Sequence, residues 1–216
     1  MFPRALQGYL GVTGRGPGAV RPSDPACTGG SGRGQNEAMG VLRQIRPMAK
    51  VLPRSRRDRY DLLRWLRHRP QILTGTAAYE MALLGSARMD PRLKQLAELK
   101  AAALVTCEFC LDVGSALAAA HGITENQLRD LPSFADSDAF SPDEKLVLEF
   151  AEAMSRTPAV IADELRDRLL NRFSPAQVTE LAATVAWENN RGRLNQALGV
   201  RPAGFSGAAV CAIPER

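Results

Sequence analysis

Two cysteines three residues apart, Cys107 and Cys110, are the residues of this sequence whose type and spacing predict chemistry. They lie in the stretch VTCEFCLDVGSA, within a segment rich in Ala and Leu. Residues at i and i+3 of a helix are about 60° apart around the axis and ~4.5 Å apart along it, so two such thiols share a face and can close a disulfide. If Thr106 caps the helix, its free amides and positive dipole end favour a thiolate in the first turn. The pair is therefore interpreted as a thiol-disulfide couple.

Two other interpretations of the pair stay open from the residues alone. Free Cys packs well in an Ala-rich helical core, so both thiols can be small buried side chains. A structural zinc site needs two further ligands, and His68, His121 and Cys211 show no ligand spacing. We therefore predict that the protein has no metal site and no cofactor.

The charge of the chain is concentrated near its N-terminus. The sequence has 28 Lys and Arg against 23 Asp and Glu, a formal net charge of +5, yet residues 1–60 hold 11 of the basic side chains and 3 of the acidic ones. Residues 61–216 then hold 17 basic and 20 acidic side chains. This part has no basic excess to neutralise phosphates, so no nucleic-acid partner is predicted. No apolar run approaches the ~20 residues that span a bilayer, so no membrane partner is predicted either.

Cysteine usage and composition predict the compartment and the domain boundaries. Four cysteines in 216 residues do not resemble the disulfide framework of a small secreted protein, and no apolar block forms a secretory signal, so the predicted location is cytoplasmic. Residues 1–38 are rich in Gly, Pro, Arg and Ser, a composition typical of disorder. The predicted organisation is a disordered tail (1–38), a basic linker (39–57), a helical domain (58–205) and a C-terminal tail (206–216).

From residue 58 onward the apolar residues follow the period of α-helices. Pro70 interrupts a first helix, a second ends near Gly85, Asp90 and Pro91 begin a third, and the helix containing the cysteines ends at Gly122. The capping boxes TENQ, SPDE and SPAQ begin later helices at Thr124, Ser141 and Ser174. With 6% aromatic residues and no alternating apolar stretch, the predicted fold is all-α, an antiparallel helical array.

The stretch LKQLAELKAAALVTCEFCLDVGSALAAAHGITENQLRDL resembles the carboxymuconolactone decarboxylase and alkylhydroperoxidase D-like family. The later stretches FSPDEKLVLEFAEAMS and FSPAQVTELAATVAWENNRGRLNQALGV are similar to the family's subsequent helices. The resemblance implies an alkylhydroperoxidase D-like helical array and a homo-oligomer, trimeric or hexameric. It also implies a thiol-dependent oxidoreductase acting on a small peroxide or a protein disulfide. In that reaction Cys110 is the attacking thiolate and Cys107 resolves, whereas helix geometry alone favours Cys107 as the attacking thiol.

The sequence departs from the family's peroxidases at their proton relay. The positions of the relay Glu and His hold Gln95 and Gly114, and neither side chain can exchange a proton. Glu98, one turn beyond Gln95, is a possible substitute or a helix residue paired with Lys94 or Lys100. Because of this departure, a catalytically silent oligomer or redox sensor remains an alternative function.

A second alternative is a lyase of the lactone decarboxylase type, which does not use the cysteine pair. Arg191 and Arg193 are candidates to bind a substrate carboxylate, or they form an exposed basic face. Asn189, Asn190 and Trp187 are candidate pocket residues near them. Because the cysteines are present, the oxidoreductase is the favoured prediction.

Overall fold

The computed structural model describes Arg46 and residues 61–207, and every regular element within 61–207 is helical. The all-α prediction is thereby confirmed. The predicted tail 1–38, the linker apart from Arg46, and residues 208–216 lie outside the described residues, as do Cys27 and Cys211. The α-helices are α1 (Asp61–Leu66), α2 (Pro70–Gly85), α3 (Pro91–Leu104), α4 (Glu108–Ala118), α5 (Glu125–Asp130), α6 (Pro142–Ser155), α7 (Asp163–Arg172) and α8 (Pro175–Ala197), with short 3₁₀ helices at Ala119–His121 and Leu131–Ser133.

The helices begin where the sequence places side-chain caps. Ser141 and Ser174 both form capping boxes, in which the hydroxyl accepts from the amide three residues on and that residue's side chain accepts from the cap amide. Thr124 caps α5 in the same way. Asp90 accepts a hydrogen bond from the amide of Arg92 at 2.7 Å, and Pro91 follows in the first turn of α3. These local bonds satisfy amides that a helix start otherwise leaves free.

Helix α3 lies at the centre of the array and packs against α4, α6 and α8. One face carries Leu96 and Leu99 into a core cluster that includes both cysteines. Another face carries Ala97 and Ala101 into a second cluster with side chains of α6, α7 and α8. The small Ala side chains let the neighbouring helices approach closely. α3 is therefore a central helix buried on several sides, and the cysteine turn and α8 pack against it.

A buried ion pair joins α3 to α8. Lys94 Nζ lies 2.5 Å from Glu180 Oε1, and Ser86 Oγ donates to Glu180 Oε2 at 2.7 Å. Burial of Glu180 disfavours its charge, but the hydrogen bonds from Lys94 and Ser86 outweigh this effect, so the pKa of Glu180 is lowered. The paired charges hold the first half of α8 against the start of α3.

Helix α2 is covered much less than the other long helices. It has no buried residue, and Ile72 and Met81 are 53% and 62% exposed. It reaches α8 through Tyr79, which stacks on Trp187 with ring centroids 4.4 Å apart. Within residues 61–207, no helix is both long enough and apolar enough to cross a membrane.

The segment after α8 folds back onto α4 and is held by Asp112. The Asp112 carboxylate accepts from the amides of Ala203 and Phe205, both at 3.0 Å, and from the amide of Ser206 at 2.8 Å. Burial opposes ionisation of Asp112, but the hydrogen bonds from Ser206, Phe205 and Ala203 outweigh it, so its pKa is lowered. Asp112 therefore anchors the chain after α8 beside the cysteine helix.

Candidate active site at the cysteine pair

The cysteine helix begins one residue later than the sequence predicts. The prediction that Thr106 caps it was wrong: α4 starts at Glu108, and Cys107 is the N-cap, its Sγ accepting from the amide of Cys110 at 3.2 Å. Thr106 has a φ of 54° and donates its amide to the carbonyl of Ala103 at 3.1 Å. The turn that closes α3 therefore extends through Thr106. The hydrogen-bond acceptor at the cap of α4 is the sulfur of Cys107 rather than the side-chain oxygen usual at this position.

Cys107 and Cys110 form a disulfide, with their Cα atoms 5.2 Å apart. Cys107 is 1% exposed and packs inside the core cluster. Cys110 is 8% exposed and lines a cavity of ≈ 160 Å³ beside α3 and α4. A molecule in this cavity therefore meets Cys110, whereas Cys107 does not line it.

Asn195 of α8 supplies a hydrogen-bond donor to both sulfurs. Its Nδ2 lies 3.5 Å from Cys110 Sγ and 3.7 Å from Cys107 Sγ, and the residue is 1% exposed. A donor held near sulfur in a buried environment favours the thiolate over the thiol. Asn195 was not among the residues predicted from the sequence, although it lies in the stretch FSPAQVTELAATVAWENNRGRLNQALGV on which the family resemblance rests.

Gly192 lets α8 approach the cysteine turn closely. A Cβ at this position would lie 2.6 Å from Cγ2 of Val105 and 3.3 Å from Cβ of Cys107. Thr184, Glu188, Gly192 and Asn195 follow one another at helical spacing on α8. A stripe of small and polar residues at helical spacing on one face of α8 was the signal in the sequence for this side of the site.

The cavity has an apolar wall and a polar wall. The apolar wall is formed by Leu83, Leu84, Leu99, Phe109, Val113 and Leu117. The polar wall includes Glu80, Glu98, Thr184, Glu188 and Arg191. Residues of helices α2, α3, α4 and α8 all line the cavity, so the site depends on the tertiary arrangement of segments far apart in the chain.

Arg191 lies at the centre of three carboxylates. Its Nη1 lies 2.9 Å from Glu80 Oε1, its Nη2 lies 3.7 Å from Glu98 Oε1, and its Nε donates to Glu188 Oε2 at 2.9 Å. Burial opposes the charge of Arg191, but the three carboxylates outweigh it and raise its pKa. Three acids around one guanidinium leave the polar wall with an excess of acidic groups.

Two of these acids hold their protons more tightly than usual. Burial raises the pKa of Glu188 to about 7, Arg191 opposes this, and Glu98 and Glu80 add to it. Burial also raises the pKa of Glu98, again against the effect of Arg191. A carboxyl group whose pKa lies near neutral, as that of Glu188 does, can both accept and donate protons at physiological pH.

The positions that hold the relay in the family's peroxidases do meet in this structure. Gln95 Nε2 donates to the carbonyl of Gly114 at 3.5 Å. A Cβ at Gly114 would lie 2.8 Å from Cδ2 of Leu99, so α4 packs against α3 where a larger side chain would stand. Glu98 pairs with Arg191, whose Nη2 lies 3.7 Å from Glu98 Oε1. The two positions are thus in contact in this structure, and neither carries a titratable group.

The remaining predicted pocket residues lie elsewhere. Arg193 donates to Asn189 Oδ1 at 3.1 Å, and Asn189 donates to Ser155 Oγ at 2.8 Å, away from the cavity. Asn190 and Trp187 do not line the cavity either. Of the five candidate residues that the sequence offered on this stretch of α8, Arg191 is the one that lines this cavity.

His121 lies in the 3₁₀ helix that follows α4 and lines the cavity. Within the described part of the chain, no group of three or more His, Cys, Asp and Glu side chains is arranged to hold a metal ion. The protein groups available for chemistry at the cavity therefore include Cys110, His121 and the polar wall.

Comparisons with known proteins agree with this architecture. Residues 70–153 match the model of the carboxymuconolactone decarboxylase family. The chain is 34% identical over 128 residues to the uncharacterized protein YnjA of Escherichia coli strain K12, which covers 59% of this chain and 68% of YnjA. It is 28% identical over 111 residues to the uncharacterized protein YdfG of Bacillus subtilis strain 168, which covers 51% of this chain and 76% of YdfG.

Solved structures share the fold at lower identity. The apo crystal structure of the debrominase Bmp8 superposes with a TM-score of 0.63 at 21% identity, covering 78% of this chain and 89% of Bmp8. ATU0492 of Agrobacterium tumefaciens is a protein of unknown function for which an antioxidant defence role of the AhpD kind has been suggested. It superposes with a TM-score of 0.58 at 18% identity, covering 64% of this chain and 94% of ATU0492. At these identities the likeness concerns the fold.

Proposed function

The chain belongs to the carboxymuconolactone decarboxylase family, and from that membership we propose that it is a thiol-dependent oxidoreductase that uses Cys110 and Cys107. The observation that carries the proposal is the disulfide between Cys110, which lines a cavity, and Cys107, which is buried in the core and does not line it. Asn195, placed to donate to both sulfurs, supports it by favouring a thiolate. Cys110 is proposed as the attacking residue because a substrate in the cavity meets it first.

The proposed reaction oxidises the two thiols and reduces a peroxide by two electrons. The Cys110 thiolate attacks the terminal oxygen of the hydroperoxide, an S–O bond forms, and the O–O bond breaks. Its electron pair leaves with the alkoxide, which takes up a proton to become an alcohol. Cys107 then attacks the sulfenic sulfur, the S–S bond forms, and hydroxide leaves with the Cys107 proton as water. An external dithiol returns two electrons to restore the thiols.

A small peroxide fits the site better than a protein disulfide does. Cys110 lines a cavity of ≈ 160 Å³ and is 8% exposed, so a disulfide on another protein would have to enter that space. The apolar wall suits an organic substituent on the peroxide. The proposed substrate is therefore a small organic peroxide, with the protein located in a reducing cytoplasm that can recycle the disulfide.

The lyase alternative is less well supported by the polar wall. A lactone decarboxylase would need a cation free to bind a substrate carboxylate, whereas Arg191 is surrounded by Glu80, Glu98 and Glu188. An anionic substrate would meet an excess of acidic groups there. Arg193, the other candidate, lies outside the cavity.

Oxidation of the reduced full-length protein by cumene hydroperoxide tests the function. Wild type should form the Cys107–Cys110 disulfide and release one cumyl alcohol per disulfide. Cys107→Ser should stop at the sulfenic acid, and Cys110→Ser should not react at this site. Peptide-resolved mass spectrometry separates these products. A wild type that resists the peroxide as completely as Cys110→Ser would leave the silent oligomer or sensor as the function.

The assembly is proposed to be a homo-oligomer, as the family resemblance implies. Helix α2 lines the cavity through Leu83 and Leu84 yet has no buried residue, and Met81 is 62% exposed. Apolar side chains on a helix with so little cover are typical of a surface that a second copy of the chain buries. Light scattering after gel filtration should give the mass of three or six chains, and Met81→Glu should reduce it to that of one chain.

A further inference from the structure

Four buried polar atoms on α8 have no hydrogen-bond partner among the described residues, and two of them, Thr184 Oγ1 and Glu188 Oε1, belong to residues that line the cavity. Thr184 is 2% exposed, Glu188 is 1% exposed, and both residues line the cavity that contains Cys110. They are four residues apart on one helix, so their side chains lie one turn apart on the same face. Buried polar atoms in a folded protein are normally paired. Two of them beside one cavity indicate a place where a ligand supplies the missing bonds.

The two atoms are chemically complementary. A threonine hydroxyl can donate and accept, whereas a glutamate oxygen accepts when ionised and donates when protonated. A ligand group that both donates and accepts, such as O–H, satisfies both atoms. An anionic group does not fit, because Glu80 and Glu98 stand nearby on the same wall.

We propose that Thr184 and Glu188 form the polar subsite of the cavity, that they bind the hydroxyl or hydroperoxyl group of an uncharged substrate, and that Glu188 exchanges the proton that thiol chemistry at Cys110 requires. This inference rests on the thiol-dependent function proposed above. It assigns the proton transfer to α8 rather than to the positions of Gln95 on α3 and Gly114 on α4.

The groups that face Glu188 come from every helix around the cavity. They are Arg191 on its own helix, Glu98 and Lys94 from α3, Glu80 from α2, Cys110 from α4 and His121 from the 3₁₀ helix that follows α4. Burial, opposed by Arg191 and assisted by Glu98 and Glu80, raises the pKa of Glu188 to about 7. Glu188 is therefore able to release and take up a proton near neutral pH.

The proton balance of the first step follows from this placement. The ionised Glu188 takes the proton of the Cys110 thiol, and the thiolate attacks the terminal oxygen of the hydroperoxide. As the O–O bond breaks, the alkoxide takes the proton back from the Glu188 carboxylic acid and leaves as an alcohol. Glu188 ends the step ionised, as it began, so one carboxyl group serves as base and then as acid.

The test is the pH dependence of the rate at which cumene hydroperoxide oxidises the reduced full-length protein. The wild-type rate constant should rise through an inflection near the pKa of Glu188, about 7. Glu188→Gln should lose that inflection and react roughly 100-fold more slowly at pH 7.5, the usual contribution of a general base. Glu188→Asp should recover the inflection at a reduced rate, because it restores a carboxylate.

Thr184→Val should raise KM about tenfold and leave kcat nearly unchanged, because it loses one hydrogen bond to the substrate.

A second variant distinguishes proton transfer from a purely structural role. Glu80→Gln leaves Glu188 in place and removes a like charge, so the inflection should move to lower pH. Glu149→Gln, an exposed carboxylate of α6 paired with Arg168, is the matched control and should behave as wild type.

The outcomes separate the two proposals. If wild type is oxidised, Cys110→Ser is not, and Glu188→Gln keeps the wild-type inflection and rate, the inference is overturned and the proposed function stands. If Glu188→Gln does not fold, an unchanged inflection in Glu80→Gln overturns the inference. If wild type does not react, the proposed function fails and this inference fails with it.

Discussion

Replacing Asn195 by Leu should raise the pKa of the Cys110 thiol by about one unit. Asn195 Nδ2 lies 3.5 Å from Cys110 Sγ, and its Oδ1 has no partner among the described residues. A hydrogen bond to a charged group contributes about 1.5–3 kcal/mol. Because the contact is long, the lower end applies, and ~1.4 kcal/mol corresponds to about one pKa unit. Leu has a similar volume and also removes the unpartnered oxygen, so the fold should be retained.

Loss of the Asn195 hydrogen bond to Cys110 should also make the disulfide harder to reduce. The thiolate form is destabilised relative to the disulfide, and ~1.4 kcal/mol corresponds to about 30 mV for a two-electron couple. The reduction potential of the Cys107–Cys110 pair should therefore become more negative by about 30 mV at a pH where Cys110 is ionised. Equilibration with glutathione buffers of known potential measures this shift.

The pKa is measured by iodoacetamide alkylation across pH in a Cys107→Ser background. Peptide-resolved mass spectrometry separates Cys110 from Cys27 and Cys211. Gln196→Ala is the matched control, because this neighbouring amide of α8 donates to the carbonyl of Val105 rather than to sulfur. A folded Asn195→Leu variant with the same Cys110 pKa as the control would refute the role assigned to Asn195.

Three further predictions concern stability. Glu188→Gln removes a carboxyl group whose pKa is raised from 4.5 to about 7. As pH rises through this window, ionisation of Glu188 lowers the free energy of unfolding of the wild type. The free energy of unfolding of the variant, measured with urea, should therefore increase relative to that of the wild type by about 3 kcal/mol between pH 4.5 and pH 8. Asp112→Asn should cost about 2–4 kcal/mol, because it weakens bonds to three amides, and should speed hydrogen exchange at Ala203 and Phe205. Gly114→His should lower the thermal midpoint, with a loss of about 1–3 kcal/mol, because its Cβ would lie 2.8 Å from Leu99, and it should not raise the peroxide rate.

The features predicted correctly from the sequence are those set by short-range interactions. The starts of the helices at Ser141 and Ser174 depend on hydrogen bonds between residues three apart, which the capping boxes display directly. Gly122 ends the segment after α4 with a φ of 74°, a conformation that favours glycine. The pairing of two thiols at i and i+3 is also local.

Most of the features that were missed depend on contacts between distant residues. Arg191 and Glu80 are 111 residues apart in sequence, and Asn195 is 88 residues from Cys107. Side chains on several helices decide the partners of Glu98, so its pairing with Arg191 was not visible on α3 alone. The cap at Cys107 was missed for a local reason: the turn that ends α3 extends through Thr106, whose amide donates to the carbonyl of Ala103.

The close packing at Gly114 explains why a proton-transfer group would be supplied from α8. A Cβ at Gly114 would lie 2.8 Å from Leu99 Cδ2, so a histidine there would require the Leu99 side chain to shift, and Gln95 donates a hydrogen bond to the Gly114 carbonyl. The α8 wall is built differently: Gly192 brings α8 against the cysteine turn, and Glu188, one turn before it, faces the same cavity as Cys110. Burial raises the pKa of Glu188 to about 7. The proton-transfer group that the positions of Gln95 and Gly114 lack on α3 and α4 is thus supplied, in the proposed reaction, by a carboxyl group of α8.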